Sequence, residues 1–196
     1  MTPKRVITEL EAAGALLEGH FLLSSGLHSR QYVQVARVMM NPKRAARLCR
    51  ALAQKVRETI KGDIDAVVAP AMGGVLVGYE MARQLGTEAM FVERESGRFA
   101  LRRGFRLAPK ARVLMVEDVI TSGLSSREAI TAIRENGGRV IGGACLIDRS
   151  GGRAKIGVKL VALAKLDIET FDARHIPEDL ADIPAVKPGS RAMPKK

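Results

Sequence analysis

The sequence has no tryptophan, two tyrosines and five phenylalanines, only 4% aromatic residues. Single-stranded nucleic acid is held largely by stacking bases on aromatic rings, so this chain is poorly equipped for that task. Cysteine is scarce too. Cys49 and Cys145 stand far apart, which excludes a disulfide scaffold and a cysteine zinc site and suits a reducing compartment. The three histidines, His20, His28 and His175, lack metal-ligand spacing. No run approaches the roughly 18 uncharged apolar residues of a membrane span. The opening MTPKRVITEL has no apolar segment of a signal peptide. A cytoplasmic protein with no membrane partner is the expectation. At 46% hydrophobic and 27% charged over 196 residues, the chain suffices for one well-buried domain and is too apolar for long disorder.

What the sequence does have is positive charge, a net +11. Its placement is uneven. Residues 93–112 hold seven basic residues (Arg94, Arg98, Arg102, Arg103, Arg106, Lys110, Arg112) against Glu93 and Glu95. The last ten residues add Lys187, Arg191, Lys195 and Lys196. A focused positive field points to an anionic partner. With stacking platforms so few, a phosphorylated small molecule is favoured and no nucleic-acid partner is expected.

Periodicity divides the chain. Residues 3–18 read as a helix, and FLLSSGLHSRQYVQVA as two short strands turning at Ser25-Gly26. Asn41-Pro42 opens a helix with the stripe Ala45, Leu48, Leu52 and Val56. From residue 64 the pattern becomes strand, helix, strand, strand, helix, strand: IDAVVAP, GGVLVGYEMARQLG, AMFVERE, RVLMVED, SSREAITAIRENGG, RVIGGACLIDR, with VKLVALAKL as a last strand. This is the order of an open, mostly parallel α/β sheet flanked by helices. Residues 1–186 form a single domain on this reading, and 187–196 a basic, disordered tail frayed from Pro184. SGRFALRRGFRLAP fits no element well and reads as a hairpin or a mobile lid.

The chemistry concentrates in RVLMVEDVITSGLSS, residues 112–126. A buried strand ends in Glu117 and Asp118, and Thr121-Ser122-Gly123-Leu124-Ser125 then turns into a helix. Ligands of open α/β sheets gather at such strand ends. The turn offers backbone N–H groups, hydroxyls and a helix N-terminus, a phosphate cradle. The carboxylates can accept from sugar hydroxyls or hold a hydrated magnesium ion. Together they describe a ribose 5-phosphate pocket, although composition alone allows an ordinary Ser/Thr-capped turn equally well. The Gly-Lys-Ser/Thr ending of a nucleotide P-loop is missing.

VEDVITSG resembles the phosphoribosyl pyrophosphate (PRPP) signature of the type I phosphoribosyltransferases. FLLSSGLHSRQYVQ, VVAPAMGGVLVGYEMARQLG and CLIDR resemble, in order, segments of the orotate-using family within them. The resemblance implies a type I phosphoribosyltransferase fold with a small N-terminal hood. It implies conversion of orotate and PRPP to orotidine 5′-monophosphate and pyrophosphate in pyrimidine biosynthesis, with Mg²⁺ as cofactor. Thr121, Ser122, Gly123, Leu124 and Ser125 then bind the 5′-phosphate. Glu117 and Asp118 hold the ribose hydroxyls as catalytic residues, with Asp118 reaching Mg²⁺ through water. Ala71, Met72 and Gly73 wrap the pyrophosphate, with a non-proline cis peptide expected at Ala71-Met72. Arg149, helped by Thr121, binds orotate, because a guanidinium grips a carboxylate in a bidentate way. Without the resemblance, Arg149 reads as a strand-end ion pair with Asp148.

The chain departs from the family at several points. Ser24 and Gly73 stand where many members carry lysine. ERESGRFALRRGF stands where the mobile loop usually reads R-K-E-x-K-x-H-G, so the loop's lysine and histidine are absent. Arg102 and Arg103 take the catalytic role on this reading, and Arg94 and Arg98 bind PRPP; otherwise the arginines are a solvated hairpin face. Family members are homodimers sharing active sites. The rivals are transfer to another base, which Arg149 opposes, and a PRPP-sensing regulator that binds nucleic acid.

Overall fold

The computed structural model describes residues 1–23 and 25–188. Its first helix, α1 (Pro3–Ala12), is capped by the Thr2 hydroxyl, which accepts from the Arg5 N–H. The helix stops well short of residue 18. Gly14 turns left-handed at φ 58°, and β1 (Leu16–Leu22) begins two residues later. β1 pairs antiparallel with β2 (His28–Val33), and the two strands make a small hood. A short helix that periodicity did not reveal, α2 (Val35–Met39), follows. In α3 (Pro42–Thr59) Asn41 caps the Arg44 N–H at 3.1 Å, and Ala45, Leu48, Leu52 and Val56 are all buried.

The main body is β3 (Ala66–Pro70), α4 (Gly74–Leu85), β4 (Glu88–Glu95), β5 (Arg98–Leu101), β6 (Arg112–Ile120), α5 (Leu124–Glu135), β7 (Arg139–Asp148), β8 (Leu160–Lys165) and the short α6 (Glu178–Ala181), alternating as the sequence suggests apart from β5 and α6, which it did not single out. The sheet runs β5-β4-β3-β6-β7-β8 and is parallel except for the β5 edge. Alternate residues of a strand face opposite sides, and both sides are covered. Val67, Leu114 and Val116 pack with α3 and α4 residues such as Leu52 and Met81. Val68, Val113 and Met115 pack with Ala129, Ile130 and Ile133 of α5. Strands buried on both faces account for their nearly unbroken apolar runs. β3 and β6 therefore sit side by side at the centre, their carboxyl ends opening toward the hood.

The segment around residues 96–104 is the hairpin of the two forms expected, an arm at the sheet edge. Ser96 and Gly97, both at positive φ (49° and 87°), make the two-residue turn that such a hairpin favours. Glu95 pairs with Arg98, and Val92 with Leu101. Much of the local charge is also locally answered. Arg94 pairs with Glu128, Arg102 with Glu95, and Arg103 with Glu93. Near the other end, Val186 is not frayed: its N–H donates to His20 O at 2.8 Å and its carbonyl accepts from Leu22 N–H at 2.9 Å. Of the basic tail, residues 189–196 lie outside the described residues.

Candidate active site

The carboxyl ends of β3 and β6, the start of α5 and the hood enclose a cleft of about 620 Å³. Twelve of the fifteen residues that the sequence marked line it: Ala71, Met72, Gly73, Arg94, Glu117, Asp118, Thr121 to Ser125, and Arg149. Arg98, Arg102 and Arg103 do not. They lie exposed on the arm, and Arg103 stacks over Phe91 at 5.6 Å. Arg94 reaches the cleft but is engaged, with its guanidinium 4.3 Å from the Phe99 ring centre and paired to Glu128.

The turn after β6 is held open for an anion. Gly123, at φ 73°, precedes α5 and brings no capping side chain of its own, while the Ser122 hydroxyl accepts weakly from the Leu124 N–H at 3.4 Å. Its first N–H groups lack intrahelical acceptors, and the helix dipole favours negative charge there. Arg127 secures the turn from outside, donating to Ser122 O at 3.1 Å and Lys155 O at 2.9 Å. On the opposite wall, the peptide Ala71-Met72 is cis, as the resemblance implied. The Ala71 N–H is already spent on Val92 O at 2.8 Å. Backbone donation to a ligand there falls to Met72 and Gly73, a correction to the expected three-residue wrap.

Between these walls lie the two carboxylates. A Cβ built on Gly73 would stand 2.7 Å from Asp118 Oδ2. Any side chain at residue 73 would therefore push the Asp118 carboxylate aside in this arrangement. Burial raises the Asp118 carboxyl above its ordinary range, with backbone N–H donors opposing. Glu117 is buried and accepts from the equally buried Ser126 hydroxyl. Burial pushes its carboxyl up to about 7, the Ser126 bond opposing and the Asp118 charge adding. A carboxyl that ionises near 7 folded and near 4.5 unfolded holds an extra proton in the native state between those values. Its contribution to stability falls as pH rises through that window and levels off above it. Glu117→Gln mimics the neutral form and keeps an acceptor for Ser126. The wild type is expected to lose about 3 kcal/mol relative to this variant between pH 4.5 and 8, read by denaturant unfolding. Parallel pH profiles of the two proteins would contradict it.

Arg149 lies at the far end, 7% exposed, with its Nε buried and without an acceptor among the described residues. The alternative ion pair with Asp148 is not formed. The Asp148 Oδ1 accepts instead from the Ser150 N–H at 2.8 Å and hydroxyl at 2.6 Å. Tyr32, from the hood, lines the same cleft: burial and the Asp118 charge push its phenol up while Arg149 pulls it down. Tyr32 falls within FLLSSGLHSRQYVQ, but the sequence alone gives it no role at the site. Also missed are Ser126, whose signal is its place one residue past the marked turn, and Lys187, which lines the cleft with Pro188.

Comparison with known proteins follows the same lines. The phosphoribosyl transferase domain family matches residues 39–182. A protein of Rhizorhabdus wittichii described as orotate phosphoribosyltransferase is 59% identical over 192 residues, 98% of both chains. One of Parvibaculum lavamentivorans with the same description is 56% identical over 191 residues, 97% of this chain and 98% of that one. Among solved structures, orotate phosphoribosyltransferase from Aeropyrum pernix superposes with a TM-score of 0.66 at 28% identity, over 82% of this chain and 93% of that one.

Proposed function

The chain belongs to the phosphoribosyl transferase domain family, and from that premise we propose the reaction of its cleft. The protein is an orotate phosphoribosyltransferase, a pentosyltransferase that joins orotate to PRPP, giving orotidine 5′-monophosphate and pyrophosphate for pyrimidine nucleotide synthesis. The observation that carries the choice of base is Arg149. A buried guanidinium with an unanswered Nε calls for an anion, and the orotate carboxylate supplies one where a purine does not.

The turn 121–125 holds the 5′-phosphate, and Met72 and Gly73 N–H groups the pyrophosphate. Glu117 and Asp118 accept from the ribose hydroxyls and stabilise positive charge on the ring as the glycosidic bond breaks. No side-chain nucleophile is required, because positioning and electrostatics supply the rate. Mg²⁺ fits this site. The described residues contain no cluster of three His, Cys, Asp or Glu to cage a metal, but Mg²⁺ keeps several waters and is commonly held by one or two carboxylates and substrate phosphates. Asp118, partly exposed in the cleft, would hold it through water. When bound, Mg²⁺ masks charge on the departing pyrophosphate.

The proposal extends to a cytoplasmic homodimer. The free, buried Cys49 and Cys145 suit a reducing compartment. No helix among the described residues is long and apolar enough to cross a membrane. Met72 in the β3 turn and Leu76 and Tyr79 on α4 are 75%, 55% and 65% exposed, apolar surface suited to a second copy. Arg98, Arg102 and Arg103, outside their own cleft, would serve the partner's. Mixing Arg102→Ala/Arg103→Ala protein with Asp118→Asn protein is then expected to regain activity, since some mixed dimers carry one intact site. With inactive parents and demonstrated subunit exchange, no regain would exclude sharing. The reaction itself is tested by initial rates with orotate, uracil and adenine, with and without EDTA. Turnover is expected only with orotate and without chelator; equal rates with uracil, which lacks the carboxylate, would overturn the assignment.

A further inference from the structure

We propose that Lys187 is a substrate-binding residue of this cleft, and that its ammonium group contacts the pyrophosphoryl group of PRPP; the inference rests on the reading of the cleft as a PRPP site. Three carboxylates line the cleft, Glu93, Glu117 and Asp118, against three cations, Arg94, Arg149 and Lys187. A polyanion entering this space needs positive charge that is not already spent. Arg94 is paired with Glu128 and stacked on Phe99. Arg149 is buried at the base end. Lys187 is half-buried and makes no ion pair or hydrogen bond through its side chain among the described residues.

Its position is built rather than incidental. Residue 187 follows Val186, which lies alongside β1 with Phe21 as its bridge partner and bonds to His20 O at 2.8 Å and Leu22 N–H at 2.9 Å. Three residues earlier, Ile183 O is 2.7 Å from His20 Nδ1. A carbonyl only accepts, so His20 carries its proton on Nδ1. Its Nε2 lies within hydrogen-bond distance of His28 Nδ1, at 2.6 Å. The buried Leu180 and the Arg30–Asp179 ion pair secure the start of the strap. The strap is thus fastened to the hood along its length and delivers Lys187 to the rim shared by Leu23, Ser25 and the β3 turn. A flexible stem bearing a compact charge suits a phosphate that must later depart.

The choice of ligand group follows from what the other limbs already have. The 5′-phosphate has the α5 turn and the orotate carboxylate has Arg149. The pyrophosphoryl group has the N–H groups of Met72 and Gly73; among the described cations of the cleft, with Arg94 paired and Arg149 at the base end, Lys187 is the one left for it.

The test compares wild type, Lys187→Ala and Lys187→Arg in steady-state kinetics, with calorimetric titration of inorganic pyrophosphate. Lys187→Ala is expected to raise KM for PRPP and Kd for pyrophosphate about tenfold, with KM for orotate within twofold and Tm unchanged. Lys187→Arg should restore most of the loss. Unchanged PRPP and pyrophosphate constants overturn the proposal, as does a loss confined to orotate or one that arginine does not repair. If wild type fails to turn over orotate and PRPP, the functional reading fails on its own, and the pyrophosphate titration still decides Lys187.

Discussion

Replacing Asp118 with asparagine is expected to lower kcat/KM at least tenfold while leaving the protein as stable as before, or slightly more so. The two halves have one cause. Asp118 stands two residues before the end of β6, in the cleft and close against Gly73, and burial holds its carboxyl above the usual range. The folded protein therefore pays to keep that charge. Asparagine keeps the shape and removes the charge, so folding does not suffer at neutral pH. Catalysis does, because an amide neither stabilises a developing cation nor binds hydrated Mg²⁺ as a carboxylate does. A tenfold loss is about 1.4 kcal/mol of transition-state stabilisation. Wild-type turnover with unchanged Tm would remove Asp118 from the mechanism.

Arg149→Ala is expected to raise KM for orotate about 10- to 150-fold and to leave KM for PRPP nearly unchanged. One charge-assisted, bidentate contact is worth roughly 1.5–3 kcal/mol. The guanidinium is buried, desolvation lowers its pKa, and its Nε has no acceptor. In the free enzyme it is a cost to the fold, repaid when the carboxylate arrives. Removing it should therefore not lower Tm, and orotate should stabilise wild type against heat far more than the variant. Equal changes in both Michaelis constants would contradict the assignment.

The parts of this account legible in the sequence are those whose cause is local. The buried strands show as apolar runs because both faces are covered. The α5 turn shows because a phosphate cradle needs glycine and small hydroxyl residues in succession, all within Thr121–Ser125. Asn41 and Pro42 announce α3 because capping is settled within one turn. What stayed hidden depends on distant partners. That the basic segment folds as a hairpin depends on the pairing of β5 with β4 and on ion pairs to Glu93, Glu95 and Glu128. Arg149's freedom depends on Ser150 having claimed Asp148. Lys187 looked like part of a tail because its placement depends on Val186 meeting His20 and Leu22, some 160 positions away in sequence. The early end of α1 at Gly14 was a local signal outweighed by the apolar residues beyond it.

The central claim is that one cleft unites PRPP held by the α5 turn with orotate held by Arg149. It is tested most directly by product analysis of the purified protein supplied with PRPP, orotate and Mg²⁺. Orotidine 5′-monophosphate and pyrophosphate should appear in equal amounts, each matching the orotate consumed. PRPP breakdown without the nucleotide, or no orotate consumed by protein that binds both substrates, would contradict the account.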